Sequence, residues 1–487
     1  MRSNDGQDSI DDIPTTLAIG GSWRAASDGA RFAVHDPATG AVIAQVADAS
    51  VADGIAAVAA AHAAQPLWAA RAPRERAEIL RKTFELMLLH AEPIAALIVR
   101  ENGKPLAEAR GEVTYAAELF RWFAEEAVRN TGTLATAPSG SNRILVLHQP
   151  IGVALLITPW NFPAAMATRK IAPALAAGCA VILKPADLTP LTALYVQRLL
   201  EQAGVPPGVV NVVPTTRAAA LSNAILADAR VRKLSFTGST EVGRILLAEA
   251  AKRVVKCSME LGGNAPFIVF ADADLDEAVA GAMVAKMRHN GETCTAANRF
   301  FAEAPVADEF AARLARAMAA LVVGNGMTPG VQLGPLIDGK TRDKVARLVT
   351  AATQAGARVR TGGVVPEGAG FFYPPTVLDR VAPDSPILAE EIFGPVAPIV
   401  SFRDDAEVVR LANATEHGLM AYVFTRDLAR GLRVAEAIEA GMVGLNRGLV
   451  SDPAAPFGGV KQSGVGREGG HHGLLEFTET KYIATGW

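Results

Sequence analysis

One sulfur in this sequence is set up for covalent chemistry. Cys294 lies in Met287-Arg288-His289-Asn290-Gly291-Glu292-Thr293-Cys294-Thr295-Ala296-Ala297-Asn298-Arg299, where a helix-like apolar run ends at His289-Asn290-Gly291. Small or polar residues on both sides leave room for a ligand, and Cys294 is the predicted nucleophile. Composition alone favours a duller reading, a buried structural cysteine, because free Cys is among the most buried residue types. Two other residues argue for chemistry. Glu260 ends the apolar stretch 254–259 and precedes Leu261-Gly262-Gly263-Asn264, whose glycines allow close backbone approach. A carboxylate at that place is costly unless it is hydrogen-bonded or functional, and partial burial raises its pKa towards that of a useful base. Asn161 stands in Thr158-Pro159-Trp160-Asn161-Phe162-Pro163. Locally it reads as a helix cap before Pro163, or as an amide N–H aimed at an oxyanion.

A second set of residues suits a dinucleotide. Gly238-Ser239-Thr240-Glu241-Val242-Gly243 follows an apolar stretch and opens a helix, so bare amides there could hold a phosphate. The competing reading is a tight strand-to-helix turn. It is not a P-loop, since Arg244-Ile245 stands where Lys and then Ser or Thr are required. Lys184-Pro185-Ala186-Asp187 places a cation and a carboxylate three residues apart at the end of another apolar stretch. That is either a surface ion pair or a pair that hydrogen-bonds a cofactor ribose. Gly464-Val465-Gly466-Arg467-Glu468-Gly469 has the G-x-G-x-x-G spacing but follows Pro456-Phe457-Gly458-Gly459 and not a strand. It is therefore rejected as a dinucleotide fingerprint. The sequence has no HExxH, G-x-S-x-G or Asp-rich calcium loop, and its eight histidines are scattered, so no metal site is expected.

The elements that must position these residues follow from periodicity. Apolar strands alternate with helices from Gly152 onward: strands 153–157, 180–183, 209–213 and 231–236, with helices 164–176 and 191–202 between them. Such alternation implies βαβ units and a parallel sheet buried on both faces. Ligands bind at the carboxyl ends of such strands, which is where residues 158–163, 184–187 and 237–240 fall. A second series begins with strand 266–270 and helix 275–288 and continues through strands 396–401, 421–425 and 442–446, giving a second α/β domain. Before the first series come a short strand at 16–23 and helices at 51–64, 74–99 (broken at Pro93) and 106–129. Residues 133–136 and 143–148 then form a hairpin about Ser139-Gly140-Ser141-Asn142. Residues 324–329 and 362–375 read as surface connections.

At 487 residues, half of them hydrophobic, the chain is long enough for two or three domains. Forty-seven basic against 50 acidic residues force no basic face, so neither a nucleic-acid nor a membrane-surface role is expected. Cys179, Cys257 and Cys294 make no disulfide framework and no zinc spacing. Residues 1–14 are acidic and polar, unlike a signal or transit peptide, and no run reaches the ~18 apolar residues of a membrane span. A cytoplasmic protein is expected.

Taken together, the motifs resemble the aldehyde dehydrogenase superfamily from about Ile19 to the C-terminus. The specific elements are residues 158–163, Lys184-Pro185, Phe236-Thr237-Gly238-Ser239, Glu260-Leu261-Gly262-Gly263, Gly291-Glu292-Thr293-Cys294, Glu391-Ile392-Phe393-Gly394-Pro395 and Pro456-Phe457-Gly458-Gly459-Val460-Lys461. The resemblance implies an α/β fold with a Rossmann-type NAD(P)-binding domain at 1–131 and 151–261, a catalytic domain at 262–446, and a return segment at 447–473 lining the active site. Oligomerisation elements at 132–150 and 474–487 would make a homodimer or homotetramer. In the implied mechanism Cys294 attacks an aldehyde, the Asn161 amide stabilises the oxyanion, hydride leaves for the nicotinamide, and Glu260 activates water against the thioester, with Glu468 helping to relay protons. The cofactor would meet Trp160, Lys184, Asp187, Gly238, Ser239, Gly243, Leu261, Glu391 and Phe393.

Within the superfamily the likeness is closest to succinate-semialdehyde dehydrogenases, in which positions equivalent to Arg169, Arg288 and Ser451 hold the far carboxylate. A short substrate of that kind is well oriented by two guanidiniums and a hydroxyl. Glutarate semialdehyde is the alternative substrate. An acylating enzyme is disfavoured by Glu260, and a catalytically silent binding protein by the intact Cys294, Glu260 and Asn161. Three positions depart from the expected pattern. Ala296 replaces the second cysteine of some relatives, removing a redox switch. Asp187 stands where NAD users commonly have Glu, favouring NAD with NADP open. Arg447 follows Asn446 where a small residue is expected, which puts the mouth of the substrate tunnel in doubt.

Overall fold

The computed structural model describes residues 13–486; residues 1–12 of the acidic N-terminal stretch lie outside them. Five parallel strands form the centre of the first sheet, in the order Val210–Val212, Ala180–Lys184, Val153–Ile157, Val231–Thr237 and Lys256–Glu260. Alternate residues of each strand enter two different cores: Ala154, Leu156, Val181 and Leu183 on one face, Leu155, Ile157, Ile182 and Phe236 on the other. Burial on both faces explains why these strands read as unbroken apolar runs. Register then places the site. Ile157 pairs with Lys184 and with Phe236, and Thr237 pairs with Glu260, so the segments after all four strands emerge along one edge.

Six further parallel strands belong to the second sheet: Thr376–Asp379, Val396–Phe402, Ala297–Glu303, Ala265–Val269, Met420–Phe424 and Met442–Leu445. Arg358–Thr361 adds an antiparallel edge. A separate three-stranded sheet pairs Thr133–Thr136 with Arg143–Pro150, and the latter with the C-terminal strand Thr478–Thr485. Leu134, Leu147, Tyr482 and Ile483 are exposed on it.

Several expectations are corrected. The strand expected at 16–23 is a hairpin, Leu17–Ile19 and Ser22–Arg24, because Gly20 and Gly21 take φ of 65° and 82°. The long helix at 74–99 breaks at His90, giving Pro73–Leu89 and Ala91–Asn102. Pro93 falls in the first turn of the second helix, where its missing N–H is not needed. Gly464–Val465, outside any fingerprint, is an edge strand antiparallel to Met259 and Glu260. The two supposed surface connections also enter the interior. Gly326 is buried with its Cα against the Lys104 carbonyl, and Tyr373 is 1% exposed.

Candidate active site

The thiol is delivered by an unusual turn. The Leu275–Met287 helix ends before Arg288, one residue earlier than expected, and His289, Asn290 and Gly291 then take φ of 53°, 55° and 77°. Two non-glycine residues in the left-handed region carry strain of order 1–2 kcal/mol each, so other contacts must hold them there. The His289 N–H donates to the Glu108 carboxylate. Asn290 Nδ2 donates to the Pro335 carbonyl at 2.9 Å and its Oδ1 accepts from Gly334 N at 2.8 Å. Glu292 Oε1 accepts from Ile337 N at 3.0 Å. Gly291 has no alternative, since a Cβ there would lie 2.3 Å from the Gly394 carbonyl oxygen. Gly263 is needed for the same reason: its Cβ would lie 2.1 Å from the Cys294 carbonyl oxygen. That close approach is what the glycines after Glu260 provide.

Cys294 is half-buried and lines a cavity of about 890 Å³. Burial pushes its thiol up to about 12, with Glu391 and Glu260 adding to the rise and the guanidiniums of Arg169 and Arg288 opposing it. Asn161 is not a cap. Phe162 holds the N-cap position of the Pro163–Ala177 helix without a side-chain cap, while Asn161 Nδ2 donates to the Glu292 carbonyl at 2.9 Å, two residues before the thiol. Lys104 Nζ holds the Asn161 carbonyl at 2.9 Å and pairs with the Glu112 carboxylate. Glu112 Oε1 in turn accepts from Ala164 N at 2.9 Å and Ala165 N at 3.2 Å, covering the open start of that helix.

Glu260 and Glu468 are buried behind the cavity wall and do not line it. The Glu260 carboxyl is raised well above the ordinary range, first by burial and then by Glu468, against the pull of Lys170, Arg169 and Arg467. Its Oε2 has no hydrogen-bond partner. Lys170 Nζ binds the Glu468 carboxylate and donates to Ser235 Oγ at 3.0 Å.

The same cavity is lined by Lys184, Asp187, Gly238, Ser239 and Leu261, and by Trp160, Glu391 and Phe393. Ser239 Oγ accepts from Val242 N at 3.3 Å, capping the Thr240–Ala251 helix. Its open end faces the cavity and could hold a pyrophosphate. Lys184 is buried, and that burial lowers its pKa against the pull of Asp187; Asp187 is exposed. Gly243 does not line the cavity. It lets the helix pack on Leu261, whose Cδ2 would lie 2.4 Å from a Cβ there. Glu391 Oε1 accepts from Gly263 N at 3.1 Å, and burial raises the carboxyl to about 7. Phe393 packs edge-on against Trp160, with ring centroids 5.5 Å apart.

Beyond the thiol, Arg169, Arg288 and Ser451 line the same cavity. Arg169 is buried, donates to Tyr115 Oη at 2.5 Å and stacks 4.2 Å over the Phe457 ring. Arg288 lies 5.7 Å over the Phe162 ring. Arg447 is exposed and is not part of the lining, whereas Leu449 is. Sequence reasoning missed Lys104, Glu112 and Tyr115, as well as the Ala218–Ala227 helix, which lines the cavity through Ala218, Ala219, Ser222 and Asn223. No helix among the described residues is long and apolar enough to cross a membrane. No group of His, Cys, Asp or Glu among them could hold a metal ion.

Cys294 shares one cavity with Asn161, whose amide is held on the carbonyl two residues before the thiol, and with the start of the Thr240–Ala251 helix, an arrangement suited to a cofactor-dependent enzyme acting on carbonyls. Residues 23–483 match the sequence profile of the Aldehyde dehydrogenase family, and the chain belongs to that family. It is therefore an NAD(P)-dependent aldehyde-oxidising enzyme. It is 57% identical over 442 residues to a succinate-semialdehyde dehydrogenase of Paenarthrobacter nicotinovorans, covering 91% of this chain and 98% of the relative. It is 50% identical over 465 residues to a glutarate-semialdehyde dehydrogenase of Pseudomonas putida, covering 96% of each chain. Among solved structures, an NADP-dependent enzyme of E. coli superposes with a TM-score of 0.97 at 48% identity, covering 99% of this chain and 100% of the other.

Proposed function

We propose that the protein oxidises succinate semialdehyde, or a close ω-carboxylated aldehyde, to the diacid. The observation that carries this is that Arg169, Arg288 and Ser451 line the same cavity as the Cys294 thiol. A carboxylate at the far end of a short aldehyde meets two guanidiniums and a hydroxyl there. A neutral aldehyde of the same length forgoes those contacts.

Cys294 attacks the aldehyde carbon as its thiolate, the form that Arg169 and Arg288 favour. The Asn161 amide, held from behind by Lys104, and the Cys294 backbone N–H meet the oxyanion. A nicotinamide bound in the cavity would supply the hydride acceptor, and Cys294 Sγ keeps the acyl group as a thioester. Glu260 then takes a proton from water as it attacks the thioester, with Glu468 as the second carboxylate of the relay, and the acid leaves. Lys184 and Asp187 would hold the adenosine ribose of the cofactor, Ser239 its pyrophosphate, and Glu391 its nicotinamide ribose. The Asp187 carboxylate repels a 2′-phosphate, which favours NAD over NADP. The first sheet belongs to the cofactor domain (1–131 and 151–261), the second to the catalytic domain (262–446), and the exposed three-stranded sheet (132–150 and 474–487) joins copies into a homodimer or homotetramer.

The test is the ratio of kcat/KM for succinate semialdehyde to that for butanal, measured by NAD(P)H absorbance. Each guanidinium lost from a carboxylate contact lowers the ratio by about tenfold or more, so Arg169→Gln and Arg288→Gln both reduce it. An unchanged ratio in both variants refutes the substrate assignment. The second reading, glutarate semialdehyde, is supported by the 50% identical relative, and a chain-length series of ω-carboxylated aldehydes decides between the two.

A further inference from the structure

Arg169 touches two parts of the site at once. Nη2 donates to Tyr115 Oη at 2.5 Å on the substrate side, while Nη1 lies 3.8 Å from Glu468 Oε2. Its Nε is buried without a partner, as is the Glu468 oxygen it approaches. The ring beneath it is also tied to the same carboxylate residue, because Phe457 and Glu468 exchange backbone hydrogen bonds at 2.7 and 2.8 Å. The other Glu468 oxygen is fixed by Lys170, which Ser235 anchors.

We propose that Arg169 is shared between the far carboxylate of the substrate and Glu468. An ω-carboxylated acyl group, by engaging the guanidinium, withdraws it from the Glu260–Glu468 pair and so tunes hydrolysis of its own thioester. The proposal rests on the substrate reading above and extends it. Arg169 is in this sense a positioning residue for the deacylation base as well as a substrate ligand.

The charged neighbours of the pair set the sign. Arg169 and Lys170 face it from the Pro163–Ala177 helix, Arg467 from the return segment, and the Cys294 thiol from the nucleophile turn. Lys170 and Arg467 keep their places with any acyl group: Lys170 holds Ser235, and Arg467 donates to the Gly459 and Gly466 carbonyls at 2.9 and 2.7 Å. Only Arg169 has a competing partner in the substrate. Once its charge is drawn to a succinyl carboxylate, the buried Glu260 carboxyl loses a favourable neighbour and holds its proton to higher pH. A butyryl group, having no carboxylate, leaves Arg169 on Glu468.

Hydride transfer can be bypassed by loading Cys294 from the p-nitrophenyl monoester of succinic acid or from p-nitrophenyl butyrate, in full-length protein. The thiol takes the acyl group, p-nitrophenol carries away the thiol proton, and intact-protein mass spectrometry follows loss of the acyl mass at a series of pH values. The acid limb of deacylation is expected about one pH unit higher for succinyl than for butyryl enzyme. In Arg169→Gln the two limbs coincide at the higher position, and Arg169→Lys restores the separation. Coincident limbs in the wild type, or a separation that persists in Arg169→Gln, overturn the proposal. The two readings fail differently. If Arg169→Gln and Arg288→Gln leave the preference for succinate semialdehyde over butanal intact, the substrate reading is wrong. If that preference falls while the wild-type limbs coincide, only the sharing is wrong.

Discussion

Lys104 is the residue whose removal best tests the geometry around the oxyanion amide. Its ammonium is fully buried and has two partners, the Glu112 carboxylate and the Asn161 carbonyl at 2.9 Å. Lys104→Met keeps the bulk and deletes the charge, leaving Glu112 buried with only the Ala164 and Ala165 amides. Breaking a buried pair from one side costs about 3–5 kcal/mol. The loss is read as a fall of several degrees in the thermal midpoint. The activity loss has a separate origin. Without Lys104 the Asn161 backbone loses its clamp, the side-chain amide drifts, and a displacement of about 1 Å costs up to about 100-fold in rate. A fall in kcat of about 10- to 100-fold with little change in aldehyde KM is the expected signature, because the oxyanion forms only after binding. The double variant Lys104→Met with Glu112→Leu separates the effects: removing both charges restores most of the stability, whereas kcat stays low. Wild-type kcat in Lys104→Met, or recovery of kcat in the double variant, refutes the positioning argument.

Three other outcomes follow from the site. Since burial pushes the Cys294 thiol up to about 12, its alkylation by iodoacetamide in cofactor-free enzyme, scored against Cys294→Ala, should climb about tenfold per pH unit through the alkaline range. A plateau near pH 8.5, about the ordinary cysteine value, contradicts this, and Arg169→Gln should slow the reaction further by removing a charge that favours the thiolate. Asp187→Ser removes the carboxylate that repels a 2′-phosphate and should raise kcat/KM for NADP relative to NAD by about tenfold or more; an unmoved ratio shows that another residue selects the cofactor. Leu134→Lys with Ile483→Lys places charges on the exposed three-stranded sheet and should lower the mass measured by sedimentation, while an unchanged mass excludes that sheet as the interface.

What could be read from the sequence follows the physical reach of each signal. Strands buried on both faces leave continuous apolar runs, so the parallel core and the residues that end its strands, Lys184, Thr237 and Glu260, were legible, and register does the rest by bringing those ends together. The turn before Cys294 was legible only as a break, because the left-handed region, though better tolerated by His and Asn than by most residues, is still uncommon for them and is not fixed by local sequence. Contacts from Glu108, Pro335 and Gly334, distant in sequence, hold it there. Glu112 was hidden because charge on an amphipathic helix normally marks its wet side, and Lys104 because it falls in the connection between two helices. On the helix the signal is a matter of spacing. Glu108, Glu112 and Tyr115 fall at i, i+4 and i+7 of the Leu106–Ala127 helix, on one face and next to the buried Ala109, Val113 and Ala116. Polar groups in an apolar setting are retained only with partners, so that spacing points to three side chains with work to do. They hold the nucleophile turn, the start of the next helix and Arg169, which makes one helix face the common support of the thiol, the oxyanion amide and the substrate guanidinium.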